Sequence, residues 1–393
     1  MRGPLQIAVA HPSAELYGSD LQLVETVAGF IDAGHHVQVT LPNSGPLAAK
    51  LTNVGATVDV LDFPVLRKSE LNPRGLLSLV ATSVRTFPKV WVRLNRTDLV
   101  WVNTLTIPLW LAVARLRGKK VFCHVHEAED EGHRLVRTGL ALPLALATWI
   151  ICNSAAAKQS ITSVLPLLAR KTQVIHNGVE GPPQPLPPPR DRQPNEPVEI
   201  ALVGRLSPRK GTDVALAAVA KLRSQDRDVR LKLYGDTFSG YEWFADQLRA
   251  RSAEPDLAGA IEFAGFVHPT WGALTGADVV LVPSRVEPFG NTAVEALLAQ
   301  RPLVASRTQG LREIVSDGVT GLQAEPGDAD SLAAAIARFI DDPQEAAAIA
   351  AAGRRAALER FTPQVYRSAI LAAVSTHLGS LRGPKGRRQV PPR

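Results

Sequence analysis

Residues 279–299 read VVLVPSRVEPFGNTAVEALLA. Four apolar residues make a buried strand, and Pro283-Ser284 ends it. A loop carries Glu287, Pro288, Phe289 and Gly290. From Asn291 the apolar residues Ala293, Val294, Ala296, Leu297 and Leu298 fall at helical spacing. Strand, loop and helix in this order form one arm of a βαβ unit. Glu287 then stands at the carboxyl edge of a sheet, where open α/β sheets bind ligands. Glu295 follows on the helix, one turn beyond Asn291. The amides of Gly290, Asn291 and Thr292 open that helix and suit a phosphate.

The same alternation extends in both directions. Residues 198–203, 230–234, 261–263 and 303–305 are further strand candidates of a second half, with helical patterns between them. Residues 5–10 (LQIAVA), a helical pattern over 20–33, Gly34 as its stop and residues 36–41 form a βαβ unit at the start. Residues 58–61, 99–103, 121–124 and 149–152 continue that first half. Between the halves, residues 181–197 (GPPQPLPPPRDRQPNEP) hold eight prolines in 17 positions and read as a semi-rigid linker. The expected fold is α/β: two Rossmann-like, doubly wound parallel-sheet domains facing across a cleft, at 1–180 and 198–362. Asp330 is expected to cap a helix over 331–340, Pro343 to open one reaching Arg360, and a last helix over 363–378 to pack back on the first domain.

Composition limits the function. The chain has 393 residues, 45% apolar and 21% charged, so it is globular and long enough for two cores. Two cysteines, Cys123 and Cys152, exclude a disulfide scaffold. The net charge of +7 is largely a tail, because residues 382–393 (RGPKGRRQVPPR) hold five basic residues and no acidic one. That tail, from 379 onward, is expected to be disordered, and nucleic-acid binding is not expected. No secretory signal is expected at the start. The uncharged stretches 99–114 and 138–157 are interrupted by polar residues and proline, so buried strand and helix are expected there rather than a span of ~20 residues. Arg85, Lys89, Arg93 and Arg96 surround Phe87, Trp91 and Val92, which reads as a solvated surface helix, with contact to an anionic membrane as the alternative and Pro88 weakening the helix.

A second chemical stretch, Gly204 to Gly211 (GRLSPRKG), directly follows a strand and puts Arg205 and Lys210 at the sheet edge, two cations suited to a diphosphate. It is not a Walker A loop, and no G-x-G-x-x-G follows the first strand of either half. His124-Val125-His126-Glu127 ends another strand. An H-x-H pair can bind metal, but no third ligand set is evident. The D-x-D strings at 226–228 and 328–330 read as a turn and a helix cap.

The spacing from Glu287 to Glu295 (EPFGNTAVE), with GRLSPRKG, GLREIV at 310–315 and DGVTGL at 317–322, resembles family 4 of the retaining, nucleotide-sugar-dependent glycosyltransferases, of GT-B fold. In the first half YGSD at 17–20, AGHHVQV at 33–39 and IHNGV at 175–179 resemble it too, over about residues 5–378 in all. This resemblance implies roles. Arg205 and Lys210 would neutralise the departing nucleoside diphosphate, with Gly204 beside them. Glu287 would bind donor-sugar hydroxyls and Glu295 the nucleotide ribose. Phe266 and Val267 would flank the base, the amides of Gly290, Asn291 and Thr292 would bind sugar or phosphate oxygens, and Phe289 would belong to the same donor site. Gly18 would let the backbone approach the diphosphate from across the cleft, with Ser19 standing where the family often has a second glycine. His126, and then Glu127, would contact the donor sugar near the reacting carbon. It further implies front-face attack, no required metal or cofactor, and a glycan or lipid-linked glycan acceptor of cell-envelope or exopolysaccharide synthesis. The expected place is the cytoplasm, with peripheral attachment at the inner face of the membrane as the alternative. A phosphorylase or epimerase of the same fold, or a non-catalytic nucleotide-sugar-binding scaffold, is the alternative.

Overall fold

The computed structural model describes residues 3–66, 72–128, 133–184, 186–188, 190, 192–193, 196–237 and 240–379. The basic stretch 382–393 lies outside them. The first sheet is built from β1 (Gln6–Ala10), β2 (His36–Leu41), β3 (Thr57–Val60), β4 (Leu99–Val102), β5 (Lys120–Val125), β6 (Trp149–Cys152) and β7 (Thr172–Val174). All its pairings are parallel, in the order β3-β2-β1-β4-β5-β6-β7. Helices α1 (Gly18–Asp32), α2 (Pro46–Asn53), α3 (Pro73–Arg93), α4 (Pro108–Leu116), α5 (Arg134–Ala141) and α6 (Ala155–Thr162) lie between these strands in sequence. Strand β4, LVWV, is buried throughout because helices cover both faces of a parallel sheet. Trp101 on it packs edge-on against Phe30 of α1 at 5.4 Å and stacks on Phe122 of β5 at 6.0 Å.

The second sheet repeats the plan with β8 (Val198–Val203), β9 (Val229–Tyr234), β10 (Ile261–Gly265), β11 (Val279–Val282), β12 (Leu303–Ser306) and β13 (Leu322–Ala324), in the order β10-β9-β8-β11-β12-β13, again parallel. Its helices are α7 (Thr212–Arg223), α8 (Glu242–Ser252), α9 (Trp271–Thr275), α10 (Asn291–Leu298), α11 (Leu311–Ile314), α12 (Ala329–Asp341) and α13 (Pro343–Arg360). A final helix, α14 (Pro363–Gly379), lies against α1 of the first half. Tyr366 Oη and Thr26 Oγ1 are 2.5 Å apart, and Arg367 reaches Glu25 at 2.7 Å and Asp32 at 2.9 Å. In each sheet the strand order reverses once, between β1 and β4 and between β8 and β11. Such a switch point opens a crevice beyond the carboxyl ends of the two strands.

The proline-rich segment is strapped to the second half. Arg190 holds Asp278 through two bonds, 2.8 and 2.7 Å, and fully buried Arg301 donates to Pro187 O at 2.8 Å. Two expectations are corrected. Asp328, not Asp330, caps α12: its Oδ1 accepts the amides of Asp330 and Ser331 at 2.8 and 3.0 Å, while Asp330 pairs with Lys221. Pro88 does not weaken α3, which runs through it for 21 residues. The backbone bond that proline forfeits lies one turn back at Val84, which is exposed, so water can serve that carbonyl.

Candidate active site

The loops after β8 and β11 meet at the second switch point. Lys210 Nζ lies 2.6 Å from Glu287 Oε2, and the same oxygen accepts Ser284 Oγ at 3.0 Å. The Lys210 stem passes over Gly204, where a Cβ would meet it at 3.7 Å. Two contacts bolt the loops together. Arg285 donates its amide to Arg209 O at 2.8 Å, and its guanidinium grips Asp213 at 2.8 and 2.7 Å. Gly211 adds a third. Its φ of +66° is left-handed, and a Cβ there would sit 2.0 Å from Pro283 O.

Gly290 turns the chain from the Glu287 loop into α10 with φ of +121°, and a Cβ at this position would fall 2.6 Å from Leu311 Cδ2. A side chain is therefore excluded both by conformation and by space. Ala293 N returns to Gly290 O at 3.0 Å, so the amides of Gly290, Asn291 and Thr292 precede the first intrahelical bond and carry the positive end of the helix. One turn on, Glu295 accepts Thr270 Oγ1 at 3.1 Å. Burial raises its carboxyl pKa, against the opposing pull of Thr270 and Lys210. Phe266 is 64% exposed at the end of β10, with Val267 half-buried beside it. Phe289 turns inward instead, packing against Phe361 and His176 at 5.8 and 5.7 Å.

The first half supplies the opposite wall. Tyr17 lies beneath the Arg205 guanidinium at 3.6 Å, a cation–π contact between the halves. Gly18 approaches Asn291 so closely that a Cβ would meet its Nδ2 at 3.3 Å. Asn177 donates to Asn291 Oδ1 at 2.9 Å. His126 follows β5. Its Nε2 is 3.2 Å from Asn103 Oδ1, and its pKa is pushed down to about 3 by burial, with the neighbouring His11 as a further cause. It is therefore neutral at physiological pH. Glu127 bridges strand ends, accepting Thr104 Oγ1 at 2.5 Å and the His126 amide at 3.0 Å. His124 is core: its ring lies 4.0 Å from that of His126 and 5.8 Å from that of Trp101, and burial lowers its pKa well below the usual value. Ser19 is half-buried, its carbonyl 3.5 Å from Asn103 Nδ2.

Sequence reasoning missed Asn177, Thr270, Ser284 and Glu313. Glu313 of α11 reaches the other half, where its carboxylate accepts the Ala155 amide at 2.8 and 2.9 Å, the Ala156 amide at 3.2 Å and His176 Nε2 at 2.9 Å. Burial by itself would raise its pKa, but His176 and the two amides outweigh it and hold it below the ordinary glutamate range. The GLREIV string contains this residue, yet nothing local says where its side chain goes. Beyond β1, β2 and β3 a pocket of about 500 Å³ opens, lined by Ser13, Glu15, Asn43, Asp62, Ser78 and Thr82 among others.

Residues 188–356 match the family model of glycosyl transferases group 1, and residues 18–180 that of Glycosyltransferase Family 4. The chain belongs to glycosyltransferase family 4. It is 35% identical over 240 residues to the glycogen synthase of Mycobacterium tuberculosis, covering 60% of this chain and 55% of that one. It is 33% identical over 185 residues to the 2-deoxystreptamine glucosyltransferase of Streptomyces kanamyceticus, covering 47% and 46%. The chain thus spans about half the length of these curated relatives. Its fold is GT-B: it superposes on Anabaena HepE, solved in complex with UDP-glucose, with a TM-score of 0.79 at 23% identity over 95% of this chain and 100% of that one.

Proposed function

We propose that this chain transfers a sugar from a nucleotide-diphosphate sugar to a hydroxyl of a glycan or lipid-linked glycan, with retention at the anomeric carbon, in envelope or exopolysaccharide synthesis. One observation carries the reading: Arg205, Lys210, Glu287 and the amino end of α10 converge beyond β8 and β11, facing Tyr17 and Gly18. As the glycosidic C–O bond breaks, its electrons pass to the diphosphate oxygen. Fixed cations and helix amides at that oxygen favour the transition state over the bound substrate. In front-face attack the acceptor hydroxyl gives its proton to that same phosphate. Glu287, held by Lys210 and Ser284, is placed to take sugar hydroxyls, and Glu295 to take the ribose. Neutral His126 is a hydrogen-bonding group rather than a charge. Arg205 and Lys210 meet the leaving-group charge, so the reading calls for no resident metal or cofactor. The polar pocket beyond β1–β3 is the acceptor's place in it.

A thermal-shift series with UDP, GDP, dTDP and ADP tests the donor site. A ligand at a hundredfold its Kd adds ~2.7 kcal/mol of stability. A selective shift, and proton NMR showing the donor's anomeric configuration kept in a product, are expected. Binding without turnover of any acceptor would leave a scaffold, and no shift at all would overturn the donor site.

The reading places the protein at the cytoplasmic face of an anionic membrane. Among the described residues no helix is long and apolar enough to cross a bilayer. Instead α3 turns an apolar stripe outward, with Leu77 at 72%, Val80 at 60% and Val84 at 71% exposed, and Trp91 and Val92 continuing it at helical spacing. Arg85, Lys89 and Arg93 flank the stripe on one side. Ser78, Leu79 and Thr82 on the same helix line the acceptor pocket, so docking by α3 would bring that pocket to the lipid surface. Vesicles with phosphatidylglycerol are expected to sediment the protein and neutral phosphatidylcholine vesicles not, with L77D and V84D together abolishing it. Equal binding of both vesicle types, or binding that survives the double variant, would refute membrane docking by this face.

A further inference from the structure

Beneath His126 runs a continuous buried chain of polar side chains drawn from three strand ends. His11 follows β1, Asn103 follows β4 and His126 follows β5, while Asp20 opens α1. Asp20 Oδ1 is 2.6 Å from His11 Nε2, His11 Nδ1 is 3.0 Å from Asn103 Nδ2, and Asn103 Oδ1 is 3.2 Å from His126 Nε2. His11, Asp20 and Asn103 are each at most 1% exposed. One member reveals the proton positions of all the others. The Trp101 indole lies 3.3 Å from Asn103 Oδ1, and an indole N–H can only donate. The atom facing it is therefore the oxygen, which sets the orientation of the Asn103 amide in this state. Its NH₂ then faces His11 Nδ1, which must be the lone pair. His11 carries its proton on Nε2 and donates it to Asp20. On the other side, His126 Nε2 must carry the proton it gives to Asn103 Oδ1.

What remains is His126 Nδ1. It is buried and has no hydrogen-bond partner among the described residues. The ring itself meets Asn103 and His124; His11 and Asp20 are the charged or titratable neighbours next to it, and Glu127 holds the backbone amide of the same residue. With the chain polarised as above, Nδ1 is a bare acceptor that no protein donor fills.

We infer that Asp20, His11, Asn103 and Trp101 are positioning residues that lock His126 in its Nε2–H tautomer, reserving Nδ1 to accept a hydrogen bond from a hydroxyl of the bound sugar. Three consequences follow from the polarity. His126 cannot act as an acid through Nδ1 in this state. It discriminates for a hydroxyl at the sugar position it faces and against a deoxy sugar, because a buried acceptor left empty is costly. And Asp20 secures it from three hydrogen bonds away, by holding the His11 proton on Nε2 so that Nδ1 stays bare for the Asn103 NH₂. The part that concerns the sugar rests on the glycosyl-transfer reading above, whereas the tautomer does not.

The test is nitrogen-15 NMR of the histidine side chains in the labelled full chain, with His126 assigned by H126Q. In the native protein Nε2 is expected to be protonated and Nδ1 bare across pH 6–8. A protonated Nδ1 overturns the inference with no variant needed. In D20N the side-chain oxygen stays with the Tyr17 amide and the new NH₂ faces His11 Nε2 at the 2.6 Å contact. That donor–donor clash outweighs the single 3.3 Å indole bond to Asn103, so the Asn103 amide turns over, the polarity of the chain reverses, and His126 is expected to move its proton to Nδ1. Turnover is expected to fall by about tenfold to a hundredfold, in kcat more than in donor KM. D20E, which restores a carboxylate, is expected to restore the native tautomer. A merely structural role for Asp20 would lower turnover in D20N while leaving the His126 tautomer unchanged, and that result also overturns the inference. If D20N does not fold, N103D supplies the second variant: it replaces the NH₂ with an acceptor oxygen, and a His11 tautomer unmoved by it is the refuting result. A D20N enzyme with a switched His126 and unaltered turnover would uphold the lock and remove His126 from the sugar site.

Discussion

Lys210→Ala is expected to lower kcat by ~10²- to 10³-fold, the usual cost of removing one fixed group that stabilises a developing oxyanion. The side chain is held for that task. Its stem lies along Gly204 and its ammonium rests 2.6 Å from Glu287, so no large rearrangement is needed when charge develops nearby. Stability falls as well. The two side chains of this pair are 29% and 13% exposed, so removing the lysine leaves a largely enclosed Glu287 carboxylate that keeps its bond to Ser284 and gains water only through the space the lysine vacates. A loss of about 1–3 kcal/mol in unfolding free energy is expected. Lys210→Arg keeps the charge but moves it, and is expected to recover only part of the rate. Steady-state kinetics with urea unfolding separates these terms. A folded Lys210→Ala enzyme within tenfold of the native kcat would place the diphosphate elsewhere.

Gly211→Ala, one methyl group larger, is expected to do comparable damage by another route. Left-handed backbone at an alanine costs ~1–2 kcal/mol. The added carbon would also stand 2.0 Å from the Pro283 carbonyl, a backbone atom that cannot swing aside. The Lys210 loop and the end of β11 must then part. A loss of about 2–4 kcal/mol in stability is expected. Because a misplacement of ~1 Å at reacting groups costs roughly a hundredfold, kcat should fall by at least that much. The informative comparison is Gly240→Ala, where φ is also positive, at +91°, but no atom lies near. It carries the backbone strain without the clash and should leave kcat near native.

The two damaging substitutions fall in one loop, and both it and the run it is bolted to are readable in the sequence. The run at 279–299 carries its own punctuation: four apolar residues, Pro-Ser, a glycine and then helical spacing. The structure has a strand over Val279–Val282 and a helix from Asn291. The loop at 204–211 is equally local. Three-residue edge strands such as β7 and β13 escape because periodicity needs more residues than they have. Strand β3 lies one residue earlier than its apolar run suggests. Contacts between halves escape for a different reason. Nothing within a few residues of His11, Asn103 or Glu313 states a partner about 90 to 160 positions away. Phe289 shows the converse failing: a motif gives a residue's position, but packing against Phe361 decides which way its ring faces.

Glu313 bears on how the protein lives with inorganic phosphate. The exposed amides at the start of a helix are an attractive berth for any small anion. Those of α6 already hold a carboxylate sent from the opposite half. A dissolved anion would have to evict a tethered tenant whose effective concentration is millimolar or above. Because that carboxylate titrates below its ordinary range, mild acid does not loosen it. The stability it lends is complete above the unfolded glutamate pKa and fades only as pH falls through the lowered one. Changes in dissolved phosphate are therefore expected to leave this junction closed.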